Sequence, residues 1–383
     1  MSALPVRKIG EVAKAKGGKR LPKGMGVQDE ETGHPYLRVV DFGPDGIDRS
    51  DIKFISDEAF EYVSRYIITG DDIYVSIAGT IGRVGIVPDD LSGANLTENA
   101  AKITELSTNV DKQYLLQFLR SAEGQGALQG KAGGTSQPKL ALFRIEEIEF
   151  PCPPLRDQKA IADVLSAYDD LIENNRRRMA LLEEAARQLY REWFVRLRFP
   201  GHEHTRMTNG VPEGWERAPL EHAIVLQRGF DLPIQDRQDG DVPIYGSTGI
   251  SGYHNKANVS GPGIVTGRSG TLGEVHYVRG DFWPLNTALW VKEFRRLTPL
   301  FSLFLLRSMD LKQFNGGVSV PTLDRKSVHK VEVLIPSHRR MNDFGGFVQP
   351  LFDQIDRLTI QSQKLKSARD LLLPRLMSGE IEP

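Results

Sequence analysis

The sequence predicts a mixed α/β (α+β) protein: two similar mixed blocks, each followed by a long helix, with the two helices pairing as an antiparallel coiled coil. Three observations carry this. The chain repeats itself in tandem, each repeat ends in a long heptad-like apolar seam, and each begins with short β-like runs parted by glycine-rich turns.

The repeat covers nearly the whole chain. Ile9, Gly18, Leu21 and Pro22 match Leu220, Gly229, Leu232 and Pro233 at one constant offset. A smaller offset relates Gly79-Thr80-Ile81-Gly82 to Gly270-Thr271-Leu272-Gly273, so the second copy has shorter intervening loops. Pro138, Ile145, Ile148, Phe150 and Pro153 then match Pro321, Val328, Val331, Val333 and Pro336, all in one register that runs on into the helices.

In the first seam, Ile161, Leu165, Tyr168, Ile172, Asn175, Met179, Leu182, Ala186, Leu189 and Trp193 alternate steps of four and three, the spacing of a coiled coil. Phe344, Val348, Leu351, Ile355, Leu358, Ser362, Leu365 and Leu372 occupy the matching positions of the second, with Arg369 interrupting where Ala186 stands in the first. No seam position holds Gly or Pro; Pro200 is expected to end the first helix and Pro374 to break the second. Helices of roughly 35–40 residues span about 50–60 Å at 1.5 Å per residue, so they read as rods.

In front of the rods, Ile73-Tyr74-Val75-Ser76-Ile77, Val84-Gly85-Ile86-Val87 and Gly263-Ile264-Val265-Thr266 read as strands. Segments 112–119 and 300–306 read as shorter helices. The expected boundaries are 1–152 and 215–337 for the blocks, 153–200 and 338–383 for the rods, and 201–214 for a Gly/Pro-bearing linker.

A chain of 383 residues exceeds one hydrophobic core. With 40% hydrophobic and 26% charged residues it has the composition of a soluble globular protein. No transmembrane run and no secretory h-region are present, which predicts a cytoplasmic protein. The single cysteine, Cys152, excludes an internal disulfide and reads as a small buried hydrophobe. Lys and Arg total 49 against 50 Asp and Glu, so any nucleic-acid affinity must come from local clusters such as Lys14, Lys16, Lys19 and Arg20. The arginine groups Arg176 to Arg178 and Arg187, Arg191, Arg196 and Arg198 fit phosphate contacts or a solvated helix face.

Catalytic signatures are absent. Segment 124–132 (GQGALQGKA) has the wrong spacing for a P-loop, lacks a Ser/Thr after Lys131, and reads as a flexible loop. Gly261, Gly263 and Gly267 do not make a dinucleotide fingerprint, and His202 with His204 lacks a third metal ligand. No nucleophile elbow occurs. The glycine loops carry the positive signal: 76–80, 266–271, 133–139 and 316–322 are small and hydroxyl-rich, suited to bringing donors against phosphates and base edges, or else simply tight turns.

Several segments resemble the specificity subunits of Type I restriction-modification systems. They are the opening of the second half, 211–220 (VPEGWERAPL), the junction made by 134–140 (GTSQPKL) and 148–158 (IEFPCPPLRDQ), the helix stretch 181–194 (LLEEAARQLYREWF) and the ending 371–380 (LLLPRLMSGE). The second junction departs from the pattern, with Ser337-His338-Arg339-Arg340 in place of Leu-Arg-Asp-Gln. The resemblance implies two target recognition domains, each reading one half of a bipartite double-stranded DNA target. The paired helices would set the spacing and dock two modification (methyltransferase) subunits. S-adenosylmethionine, ATP and magnesium would belong to those and to the restriction (motor and nuclease) subunits, with no cofactor, membrane contact or catalysis on this chain. The residues expected at DNA are Lys19, Arg20, Ser76, Thr80, Thr135, Ser136, Lys139, Arg228, Arg268, Ser269, Thr271 and Ser319. The alternative is a coiled-coil scaffold that assembles partners without reading DNA.

Overall fold

The computed structural model describes residues 4–43, 46–133 and 138–382. The chain forms two compact units, Met1–Asn175 with Ile360–Pro383, and Arg176–Thr359.

Each unit is built on an antiparallel four-stranded sheet of the same order. In the first unit the strands run Lys14–Gly17, Ala100–Thr104, Ile73–Ser76, Val84–Ile86; in the second they run Ile224–Arg228, Ala288–Phe294, Gly263–Gly267, Val275–Val278. Ile73–Ser76 and Gly263–Gly267 are buried at every residue, which explains their unbroken runs of apolar and small residues. A smaller sheet accompanies each, and each contains one parallel pair: Pro35–Leu37 beside Asn95–Leu96, and Val242–Gly246 beside Trp283–Pro284. A two-stranded ribbon closes each repeat, Val6–Lys8 with Glu149–Pro151 and Glu216–Pro219 with Glu332–Ile335.

The two short helices form where expected. Lys112–Arg120 is capped by Asp111, whose side chain accepts from Tyr114 N at 2.9 Å, and it buries every residue from Tyr114 to Leu119. Pro299–Ser308 is capped by Thr298, starts on a proline, and buries all of Leu300 to Leu306. Segment 124–132 is not a loop. Ala122–Gly130 is a helix whose cap Ser121 accepts from Gly124 N at 3.0 Å, and a Cβ on Gly124 would lie 2.1 Å from Phe118 O. Its glycine serves close helix packing, a signal that composition alone reads as flexibility.

The first long helix runs Leu155–Tyr190 and widens into a π turn at Arg191–Val195, which turns the consecutive residues Trp193 and Phe194 both inward. It therefore ends before Pro200, with Leu197 in the left-handed region at φ 58°. The second long helix runs His338–Met377, straight through Pro374. That proline removes one amide donor in the final turns, while burial of Leu373, Leu376 and Met377 in the first unit's core holds the helix on. Gly345, Gly346 and Pro350 lie inside this helix, off the seam.

The pairing is antiparallel in both units. In the first, Asp169 meets Arg369 and Asn175 Nδ2 donates to Ser362 Oγ at 3.3 Å; in the second, Thr359 Oγ1 donates to Met179 Sδ at 3.2 Å and the Tyr190 ring meets Phe344. Every seam residue named above is at least half-buried. Burying a leucine fully, as at Leu165, contributes about 1.5–3 kcal/mol against roughly 1 kcal/mol for a polar pair, so the apolar positions hold the seam and the polar ones fix its register.

Candidate nucleic-acid interface

In each unit the described residues of the separately predicted glycine loops come together at one end of the main sheet, and the second repeat reproduces the bonds of the first. In the first unit Ala78 and Lys139 form an isolated antiparallel bridge, Leu140 N donates to Ile77 O at 2.9 Å, and Lys139 and Gly133 exchange two backbone hydrogen bonds. In the second, Ser269 bridges Thr322, Leu323 N donates to Arg268 O at 2.8 Å, and Gly316 N donates to Thr322 O at 2.8 Å. Gly79 and Gly82 lie at φ 75° and 94°, and their counterparts Gly270 and Gly273 at φ 90° and 98°, the left-handed region that costs a glycine nothing.

A third segment joins each cluster by close backbone approach. A Cβ on Gly18 would lie 2.1 Å from Thr97 O, and one on Gly229 would lie 2.3 Å from Leu285 O. Gly18 N donates to Ala100 O at 2.9 Å and Gly229 N to Ala288 O at 3.1 Å. This seats Lys19 and Arg20, or Arg228, beside the loops. The link in the first unit is the 96–100 turn: Lys19 N donates to Leu96 O, Arg20 Nε to Glu98 Oε1 at 2.6 Å, and Ile77 N to Asn99 O. Partial burial pushes the Glu98 carboxyl up, but the Arg20 guanidinium and further hydrogen bonds hold it below its ordinary value. In the second unit Arg228 pairs with Asp231 at 3.1 Å, Asn286 Nδ2 also donates to Asp231, and Arg268 Nε donates to Asn286 O at 2.7 Å.

Lys19, Arg20, Thr80 and Lys139 are exposed in the first unit, as are Arg228, Thr271 and Ser319 in the second; Arg268 and Ser269 are half-buried. Arg228–Asp231 is an exposed ion pair of about 0–1 kcal/mol, so a phosphate can take over Arg228 at little cost, while Arg20 is exposed but paired with the half-buried Glu98. Ser76 does not belong to this surface. It is fully buried, its Oγ donates to Thr80 O at 2.5 Å and accepts from Arg83 N at 2.8 Å, and it staples the loop that presents Thr80. Thr135 and Ser136 lie outside the described residues.

Other groups join the surface without having been expected there. The hairpin turn after Val242–Gly246 brings Ser247 beside the 267–271 loop, its carbonyl 3.0 Å from where a Cβ on Gly267 would sit, with Thr248 exposed next to it. Lys312 packs along Gly273. The turn 246–249 (GSTG) has the same donor-rich chemistry as the other loops but no counterpart in the first repeat, so the duplication does not point to it. Among the described residues no three His, Cys, Asp or Glu side chains are grouped to hold a metal ion, and no helix is long and apolar enough to cross a membrane.

Comparison with known proteins places this architecture. The family model for the Type I restriction modification DNA specificity domain matches residues 1–184 and 212–361. The Type I restriction enzyme MjaIX specificity subunit of Methanocaldococcus jannaschii is 25% identical over 356 residues, covering 85% of this chain and 81% of that protein. The EcoBI specificity subunit of Escherichia coli is 28% identical over 148 residues, 38% of this chain and 31% of its own. The crystal structure of the Type I restriction-modification S subunit from M. genitalium superposes with a TM-score of 0.56 at 19% identity, over 97% of this chain and 96% of that one, and so shares the fold.

Proposed function

The chain belongs to the Type I restriction modification DNA specificity domain family, and from that premise we propose that it is the sequence-specific DNA-binding subunit of a Type I restriction-modification complex. Each repeat, 1–152 and 215–337, reads one half of a bipartite double-stranded target. The helical segments 153–200 and 338–383 set the distance between the halves and dock two modification subunits. Methyl transfer from S-adenosylmethionine and ATP- and magnesium-dependent restriction reside on the modification and restriction subunits, and the assembly works in the cytoplasm.

The observation that carries this reading is the duplicated constellation. The bridges Ala78–Lys139 and Ser269–Thr322 each fix two chain segments beside exposed Lys or Arg side chains, with the hydroxyl of Thr80 exposed in the first unit and those of Thr271 and Ser319 in the second. Cations position a protein on phosphates, and hydroxyl and backbone donors reach base edges. A formal charge of −1 is compatible with this because the cations are local and docked subunits contribute phosphate contacts of their own.

The test is protection of DNA by the chain assembled with its modification partner at physiological salt. One bipartite sequence, also the methylated motif of a host expressing the complex, is the expected footprint. Assembly without sequence-selective protection would favour a scaffold that organises partners without reading DNA.

A further inference from the structure

We propose that the 316–322 loop reads a thymine by apolar contact, Val318 packing on the C5-methyl of one thymine in the major groove of the half-site bound by the second repeat. The proposal rests on the DNA-binding reading above and names part of its specificity.

Val318 is 103% exposed and Val320 53% exposed, on either side of Ser319. Single exposed valines are ordinary on a protein surface; the bracing of this one is not. Asn315 Oδ1 accepts from both Gly317 N at 3.0 Å and Thr322 N at 2.9 Å. Gly316 N donates to Thr322 O, a Cβ on Gly317 would lie 2.0 Å from Val320 O, and Thr322 is bridged to Ser269. The tip is thus clamped at its base to the loop that carries Arg268 and Thr271, and it presents an aliphatic side chain with nothing of its own chain to pack on.

Size decides between occupants. An apolar protein-docking surface runs to a few hundred Å², far more than two valines parted by a serine supply. Of the groups that base pairs present in their grooves, the thymine methyl is the apolar one, and it lies in the major groove. A side chain of valine size matches one methyl. The equivalent positions of the first repeat are Thr135, Ser136 and Gln137, polar throughout. The two readers therefore use different chemistry at the same place in the repeat.

The test uses the assembled complex and its own target, once that is read from the methylated motif. Each thymine of the second half-site is replaced in turn by deoxyuridine, which removes only the methyl group, and affinity is measured for the parent, Val318→Ala and Val318→Thr. One position should weaken the parent about fourfold, the factor expected from roughly one buried methyl. That same replacement should cost Val318→Ala nothing further and Val318→Thr an intermediate amount. A second half-site without thymine, equal uracil sensitivity in parent and variant at every position, or a Val318→Ala loss that is the same on non-specific DNA would each overturn the assignment. Failure of the parent to select any bipartite site would instead overturn the DNA-binding reading itself.

Discussion

Arg369 stands on the second long helix at the repeat position that Ala186 holds on the first, and its Nη1 donates to Asp169 Oδ1 at 2.5 Å. Asp169 also accepts from Gln117 Nε2 at 2.7 Å and Arg120 Nη1 at 3.3 Å, which ties the helix Lys112–Arg120 to both rods within the first unit. The second repeat has no such node: Phe352 takes the place of Asp169, and Ala186 is fully buried. The ion pair marks the register of one half of the seam, since a slip by one turn strands a cation among apolar groups.

Arg369→Ala should therefore lower stability by about 2 kcal/mol, between the values for exposed and fully buried pairs because both side chains keep some solvent contact. The reverse graft, Ala186→Arg, puts a guanidinium at a fully buried position where Phe352 stands in place of the partner carboxylate, and should cost about 3 kcal/mol or more. Urea unfolding of both variants measures this; equal losses would show that the pair adds nothing beyond bulk.

A second difference between the repeats sets a pH dependence. Leu226 N donates to His329 Nε2 at 3.0 Å, while at the matching place in the first repeat Ala15 N donates to Glu146 Oε1 at 2.9 Å. Burial, and then the nearby Arg325, hold the His329 imidazole below its ordinary value, and only the neutral ring accepts this bond. With a depressed folded pKa, the stabilisation is complete above the unfolded value of about 6.5 and is lost as pH falls through the folded value. His329→Glu, copying the first repeat, should flatten the fall in stability below about pH 6.5. An unchanged slope in that window would mean His329 does not carry it.

Gly18 and Gly229 test whether backbone approach builds the binding surface. Alanine at either puts a Cβ little more than 2 Å from a carbonyl oxygen, so the 18–20 segment or its counterpart must move. Each should cost about 1–3 kcal/mol and weaken DNA binding by the complex. Gly26→Ala, whose added Cβ meets nothing within 4 Å, should do neither. Thermal unfolding and filter binding on the three variants decide it.

Arg228 and Lys139 separate positioning from reading. Both are exposed, and Arg228 makes a surface pair with Asp231. Alanine at either should weaken binding by a similar factor on cognate and non-specific DNA and reduce the salt slope by about one. A variant whose loss is confined to one base of the target would reassign that residue to base readout.

The rods and central strands are legible in the sequence because their apolar spacing is dictated by burial, as at Ile161, Leu165, Phe344 and Val348 or along Ile73 to Ser76. The mutual approach of the glycine loops is not. The bridges Ala78–Lys139 and Ser269–Thr322 join backbone atoms far apart in sequence, and no side-chain pattern announces them. Ser76 misleads for a related reason: a hydroxyl at the end of an apolar strand looks like an exposed donor until the loop it staples is seen. The two ends of the rods are not legible either, because Leu373, Leu376 and Met377 outweigh one missing amide at Pro374 while the π turn ends the first helix before Pro200 is reached.

The rods also frame the test of spacing. Asn175 meets Ser362 in the first unit and Met179 meets Thr359 in the second, so an insertion into one helix alone displaces one of these pairs and every seam residue beyond it. Seven residues added between Arg176 and Arg178, matched by seven after Thr359, preserve the heptad phase on both helices. Such a matched insertion adds roughly 10 Å at 1.5 Å per residue. Duplex DNA rises about 3.4 Å per base pair, so the spacer of the methylated motif should grow by about three base pairs with both half-sites unchanged. The insertion in one helix alone should fail to assemble, because its seam is out of register with an unaltered partner. The methylated motif of each variant is the measurement. An active matched variant with its original spacer would show that the distance between half-sites is set by something other than the paired helices.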